Sequence, residues 1–532
     1  MAAGRFKRAG GAADAQFMSR DDTRIAAASS GRVRIAAFGL VGAAGLAGLI
    51  ALGGPNTLDA TALPPSGPDR TARTALPSGV AKASGATAKR ASSPAAPGVE
   101  APAGVALPAL PTGPPAPRAS GARPNVVVVT LDTTRADRLG SYGADVETPA
   151  LDAIAARGAR FTHAISSAPV TLPSHASLFT GLDPHRHGAR ENGTYVLADA
   201  QLTLAEILRS QGWRTGAFIG GFPLSERFGL GQGFDHYDDA LAEDNAAPPR
   251  ADSWQGIPRP YLDRPAGPVV RRAIRWMHAN AETSFFAWIH LFDAHKVYAP
   301  PEPFRTRYRD RLYEGEIAYM DFALGELFRA LSDWGLEDET IVVIGADHGE
   351  SLGEHGIHGH GRQLYAPSLH VPLIAAFPGR IEEGTVVEDV VRNVDVMPTL
   401  LELLELAVPP GLDGASLVAA IEGADDRDAT DAYAETLVDA LRFDGAERYA
   451  LQRGTWKLLR EVAPDGAIRE RLFDLSADPA ELTDRALRAP EAMADLVDAL
   501  DERIARAERD AGPAALDPAT EAALRALGYL VE

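Results

Sequence analysis

The stretch NVVVVTLD, running from Asn125 to Asp132, decides the fold. Four consecutive valines lead into Thr130 and Leu131 with no polar alternation. An uninterrupted β-branched run suits a strand buried on both faces, as in a parallel sheet covered by helices. The run ends on an acid. Outward from it the pattern alternates. Helices are expected at Thr148–Arg157, Leu202–Gln211, Tyr313–Trp334 and Asp395–Leu406, with Pro149 and Pro398 tolerated in first turns. Strands are expected at Arg214–Ile219, Phe285–Phe292, Thr340–Gly345 and Pro372–Phe377. The fold class is therefore α/β, a mostly parallel sheet sandwiched by helices. In such sheets sites form beyond the carboxyl ends of the strands. Asp132, Asp293, His295, Asp347 and His348 all fall there.

The last hundred residues read differently. Arg448–Leu459 and Ala467–Leu475 are expected to pair as a hairpin, and Ala489–Arg509 to form an amphipathic helix. They predict a smaller α+β subdomain over 426–532, beside a catalytic domain over 124–425.

The chain has 532 residues and carries a net charge of −20. Residues 1–123 have a balance of +8 and the remainder −28, so the catalytic part lacks the basic surface that nucleic-acid binding needs. Cysteine is absent, which excludes disulfides, thiolate metal sites and a cysteine nucleophile. Residues 35–54 are uncharged and mostly Ala, Leu, Gly, Val and Ile, long enough to span a bilayer as a helix. The preceding leader, 1–34, holds seven Lys/Arg against three Asp. It is expected to stay cytoplasmic, with an uncleaved anchor in the inner membrane and the catalytic domain outside the cytoplasm. A cleaved signal peptide is the competing reading. Residues 55–123 are rich in Pro, Ala, Ser, Gly and Thr and are expected to be a disordered linker. Nothing in the sequence specifies an oligomer.

Thr171 opens the segment TLPSH, 39 positions after Asp132. With Asp347 and His348 these residues offer two acids, an imidazole and a hydroxyl, each at a strand end or turn. Converging on one divalent ion, they would bind it and let it activate the hydroxyl as a nucleophile. Mixed carboxylate and imidazole donors suit Zn²⁺ or Mn²⁺, and Ca²⁺ is compatible.

Five separated segments carry a family resemblance: NVVVVTLDTTRAD, TLPSH with LFTGLDPHRHGARENG behind it, FFAWIHLFDAH, IGADHGESLGEHG and LFDLSADPAEL. In that order they resemble the sulfatase branch of the alkaline phosphatase superfamily, over roughly Pro124 to Leu530. The resemblance implies that Asp132, Asp347 and His348 bind the metal and that Thr171 is the nucleophile at a helix start. It implies that Asn192 and His360 contact the transferred group, and that His295 serves as leaving-group acid or oxyanion contact. Thr133 stands where many sulfatases carry a second metal-binding Asp, and His175 where the family usually has Arg. Both are expected beside the substrate, with Arg362 as a further anion contact. Sulfatases usually carry Cys or Ser at position 171 and oxidise it to formylglycine. Threonine is not expected to undergo that maturation, so a phosphorus ester is expected over a sulfate. His355 and His358 are candidates for a second metal, His185 and His187 for structural or rim positions, and His290 for a satisfied core histidine.

The expected function is a metal-dependent hydrolase of an anionic ester. A transferase moving a phospho-group onto envelope lipids or glycans is the second reading, and a catalytically inactive binding protein with the same fold the third.

Overall fold

The computed structural model describes residues 107–241, 263–424 and 430–505. The leader, the apolar segment 35–54, most of the linker and the predicted boundary at 425/426 lie outside the described residues. Among the described residues no helix is long and apolar enough to cross a membrane.

The expected sheet is present. Its strands are Asn125–Leu131 (β1), Ala159–Ile165 (β2), Arg214–Phe218 (β3), His236–Asp238 (β4), Phe285–Leu291 (β5) and Thr340–Gly345 (β6). Ser351–Leu352 (β7) and His358–Gly359 (β8) form a small separate ribbon. His370–Ala376 (β9) and Thr385–Arg392 (β10) complete the main sheet. The eight strands run in the order β10-β2-β9-β6-β1-β5-β3-β4. All neighbours are parallel except β9, which runs against both β2 and β6. Every residue of β1, β5 and β6 is buried, as their unbroken apolar sequence requires. In register, Thr130 of β1 stands between His290 of β5 and Gly345 of β6, so three strands end together.

Helices cover both faces. Pro149–Ala156, Leu204–Ser210, Ala266–Asn280 and Leu312–Asp333 lie close to their predicted positions or on the expected connections. The Leu204 helix starts with a capping box, Thr203 bonding the Glu206 amide and Glu206 reaching back to the Thr203 amide.

Three expectations need correction. The run Arg448–Leu459 is two strands, Glu447–Arg453 (β12) and Trp456–Val462 (β13), because Gly454, at φ 55°, makes a tight turn between them. With Asp431–Thr436 (β11) and Ile468–Asp474 (β14) they form a four-stranded antiparallel sheet, packed by helix Pro490–Ala505. β2, β10 and β11 were not anticipated, since charged and small residues interrupt their apolar positions. Finally, the domain's contacts begin before Pro124. Residues 107–123 form no regular element, but Ala119 N–H donates to the Glu282 carbonyl at 2.8 Å. Arg118 pairs with Glu339 at 2.9 Å, and the Arg123 guanidinium lies 4.5 Å from the Trp213 ring centre. Backbone that finds such partners is held to the surface rather than left to solvent.

Candidate active site

β1 and β6 deliver the acids. One residue past β1, Asp132 is fully buried, and its amide donates to the Leu291 carbonyl of β5 at 2.8 Å. The chain then turns through Thr133, whose φ of 55° is unusual for a β-branched residue. Two bonds impose it: the Thr133 amide donates to Asp347 Oδ1 at 3.2 Å, and Tyr313 Oη donates to the Thr133 carbonyl at 2.7 Å. Strained backbone of this kind persists only where the surrounding structure over-determines it, as these two bonds do.

Thr171 begins a ten-residue helix, Thr171–Thr180, that is buried throughout. The Leu172 amide, one of the helix's unpaired donors, gives its hydrogen to Asn192 Oδ1 at 2.7 Å. Ser174 Oγ donates to the Asp347 carbonyl at 2.5 Å, which ties the Thr171 helix to the β6 loop.

Asp132, Asp347 and His348 come together, with one ligand atom from each lying within 4.8 Å of the others. Asp132 Oδ1, Asp347 Oδ2 and His348 Nε2 are buried without a hydrogen-bond partner. The Thr171 hydroxyl lies against the Asp132 carboxylate, close enough to hold down its proton affinity, without completing a well-formed hydrogen bond. Burial pushes both carboxyls well above the usual range, and for Asp347 the neighbouring Asp132 adds to it. Burial also lowers the basicity of His348. Two buried acids without a counter-ion are costly, and orphaned polar atoms aimed at one another are rare. Two oxygens and an imidazole nitrogen in this arrangement fit a divalent cation.

A second layer lies over the first. The His360 ring is 4.5 Å from that of His348 and 4.9 Å from that of His295. His295 stacks on Phe292 at 4.3 Å. Burial lowers His295 to about 3 and His360 to about 4, so both are neutral imidazoles in the free protein. Asn192 Nδ2 is buried and unpartnered at the helix start.

The outermost match of the amino-acid pattern settles what this arrangement belongs to. The family model described as Sulfatase matches residues 124–406, and one for the C-terminal part of N-sulphoglucosamine sulphohydrolase matches 353–510. This chain belongs to the sulfatase family. An ulvan-active sulfatase of Formosa agariphila is 29% identical over 348 residues, covering 57% of this chain and 66% of that protein. Arylsulfatase K of Mus musculus is 27% identical over 455 residues, covering 72% and 81%. Among solved structures, the phosphonate monoester hydrolase of Agrobacterium radiobacter aligns with a TM-score of 0.58 at 22% identity, over 74% of this chain and all of that one. A protein solved with its substrate D-glucosamine-2-N,6-O-disulfate aligns at 0.61 and 19%, over 72% and 97%. The family and the fold place the protein among sulfuric and phosphoric ester hydrolases.

Two residues expected at the substrate of this sulfatase-family protein are placed elsewhere. His175 is fully buried beneath the site: the fifth residue of the helix, one turn on from Thr171, it points toward the sheet, and both ring nitrogens are taken by Thr171 and Thr130. Arg362 is drawn to the second sheet's side, with Nε bonded to Asp439 at 2.5 Å and the guanidinium over Phe443. His355 stacks on Tyr365 at 3.7 Å, and no second cluster of metal-binding groups occurs among the described residues. His187 is a structural residue, bonded to Ser177 Oγ at 3.0 Å.

The sequence reading missed Glu350. Its carboxylate is fully buried, bonds His360 Nδ1 at 3.3 Å through Oε2 and leaves Oε1 unpartnered. Burial raises it to about 7. The signal was available: in extended chain, residue 350 shares a face with residue 348. Lys296 was also missed; its charge lowers the proton affinity of His360.

Proposed function

We propose that the protein is a metal-dependent hydrolase that cleaves a phosphorus ester through Thr171. The observation that carries this is the set of four orphaned atoms: Asp132 Oδ1, Asp347 Oδ2, His348 Nε2 and Thr171 Oγ1. A divalent ion held by the first three would lower the proton affinity of the Thr171 hydroxyl and neutralise charge on the substrate.

Thr171 Oγ then attacks phosphorus while the bond to the leaving oxygen breaks. The helix start and Asn192 Nδ2 face the charge that accumulates on the equatorial oxygens. Each ring holds its one hydrogen on Nδ1, His295 toward the Lys296 carbonyl and His360 toward Glu350, so each offers a lone pair at Nε2, and an arriving dianion raises its proton affinity. His295 takes up the proton that Thr171 releases and passes it to the leaving oxygen. Water then attacks the phosphothreonine and loses a proton to the same imidazole, which returns it to the departing Thr171 oxygen and restores the hydroxyl.

Two features favour phosphorus over sulfur. Threonine has a methyl on Cβ, so it cannot become formylglycine. Thr133 replaces an acid, so only two carboxylates face the cation; a divalent ion balances them and leaves no excess negative charge against a phosphate dianion. We further propose that residues 35–54 anchor the protein in the inner membrane with this domain outside the cytoplasm, on the strength of their length, lack of charge and basic flank.

The test is a panel of p-nitrophenyl sulfate, phosphate, phosphodiester and phosphonate esters, each with and without Zn²⁺, Mn²⁺ or Ca²⁺. A phosphorus ester is expected to give the highest kcat/KM, with loss on chelation. Fastest turnover of the sulfate would overturn the assignment. So would metal-independent activity.

A further inference from the structure

Beneath the orphaned atoms lie two histidines that the chemistry above does not use. His290 is on β5 beside Thr130, and His175 is four residues after Thr171. Both are fully buried, and their rings meet edge to face at 5.1 Å.

Their partners fix opposite tautomers. The Gly220 amide donates to His290 Nδ1 at 3.3 Å, so that nitrogen carries a lone pair and the ring hydrogen sits on Nε2. Nε2 lies 3.1 Å from Asp132 Oδ2 and donates to it. That occupies one carboxylate oxygen and leaves Oδ1 unpartnered. At His175 the order reverses. Nδ1 lies 2.8 Å from the Thr171 carbonyl, which can only accept, so Nδ1 carries the hydrogen. Nε2 accepts from the Thr130 hydroxyl at 3.0 Å, and Thr130 Oγ1 accepts from Trp288 Nε1 at 3.0 Å. A chain of donors thus runs from the core to the first residue of the nucleophile helix.

We propose that His290 and His175 are positioning residues of opposite tautomer: His290 turns Asp132 so that Oδ1 faces the cation, and His175 holds the Thr171 main chain so that its hydroxyl faces the same point. The inference rests on the roles given above to Asp132 and Thr171. Outer groups that orient a metal ligand are worth about 10–100-fold in affinity or activity.

The test uses the two amides. Gln places its N–H₂ near the Nε2 position of histidine, and Asn near the Nδ1 position. In the full-length protein, metal affinity is measured by titration calorimetry and kcat at saturating metal. His290→Gln is expected to bind metal within a few-fold of wild type. His290→Asn and His290→Ala are expected to lose about 10–100-fold in affinity yet recover kcat when metal saturates. At His175 the ranking inverts: Asn keeps kcat, while Gln and Ala lose it by a similar factor with metal affinity unchanged. A residue that merely fills space would show no such inversion. Equal behaviour of Asn and Gln at both positions overturns the inference alone, whereas wild-type protein that takes up no divalent ion overturns it together with the function it rests on. Nitrogen chemical shifts of the wild-type histidine rings give a readout that needs no variant to fold: His290 is expected to be protonated on Nε2 and His175 on Nδ1. The reverse pattern overturns the proposal.

Discussion

Two buried polar clusters in this protein obey opposite rules. At the seam between the main sheet and the C-terminal sheet, acids meet bases. Glu435 of β11 takes Arg190 Nε at 2.6 Å on one oxygen and Nη2 at 2.9 Å on the other, with the Tyr433 hydroxyl at 2.5 Å. Lys457 of β13 reaches Glu481 at 2.6 Å, and that carboxylate also receives the Ala366 amide at 2.6 Å. At the carboxyl end of the main sheet, acid meets acid. Asp132 and Asp347 face each other with unpartnered oxygens, and burial lowers the basicity of the adjacent His348. The first arrangement holds two layers together. The second is a destabilised constellation that the surrounding structure keeps in place, as expected where binding of a cation is the purpose. The two clusters should therefore answer mutation with opposite signs.

The largest effect should be at Thr171. Thr171→Ala removes the proposed nucleophile but only one buried hydroxyl. Its kcat/KM on the best ester is expected to fall by a factor of about 10³ or more, while the melting temperature stays within a few degrees of wild type. Retention of full activity would remove Thr171 from the mechanism. At the seam the balance reverses. Lys457→Met strands the buried Glu481 carboxylate, a type of change that costs about 3–5 kcal/mol, and denaturant unfolding should show it. The activity per folded molecule should be unchanged. A Lys457→Met protein as stable as wild type would mean that the seam pair is ornamental and the comparison wrong.

The contrast also explains what could be read in the sequence. β1, β5 and β6 were legible because strands buried on both faces leave an unbroken apolar record, and Asp132, Asp347 and His348 were legible because they follow those strands directly. His290 shows where that ends. It was read correctly as a satisfied core histidine, but its partner Asp132 is set by the register of β5 against β1, which lies 158 positions apart in sequence. His175 misled for a related reason: helical spacing tells that residue 175 lies one turn from Thr171, not which side of the helix faces the sheet. The seam was illegible because β11 and β10 mix charged with apolar residues, and the charges there find partners on other segments.

Metal should act on one cluster and leave the other alone. If the ion binds only the folded protein, saturation at 100 times its Kd raises stability by about 2.7 kcal/mol. Thermal unfolding of wild type should shift upward with Zn²⁺ or Mn²⁺, Lys457→Met should shift in parallel, and Asp347→Asn should lose the shift. A shift that survives in Asp347→Asn would place the ion elsewhere.

The smallest effect is the most diagnostic, because it reverses the usual cost of losing an acid. In the metal-free protein the folded-state affinity of Asp132 for its proton is raised well above the ordinary carboxyl value of 3.8, mainly by burial. For a group shifted this way stability is fully present below the unfolded value and is lost as pH rises through the window above it. Asp132→Asn keeps the shape and an acceptor for His290, and removes the charge. Metal-free Asp132→Asn is therefore expected to be more stable than metal-free wild type near neutral pH, by about 1–3 kcal/mol, the range for relieving an uncompensated buried group. The difference should shrink as pH falls toward 4, where wild-type Asp132 is protonated as well. With a divalent ion present the order should reverse, since wild type gains the ion and the variant does not. Chemical unfolding at several pH values, with and without chelator, measures all three. An Asp132→Asn protein that is less stable than wild type in chelator at neutral pH would show that the two acids are balanced by some other group, and the distinction between the clusters would fail.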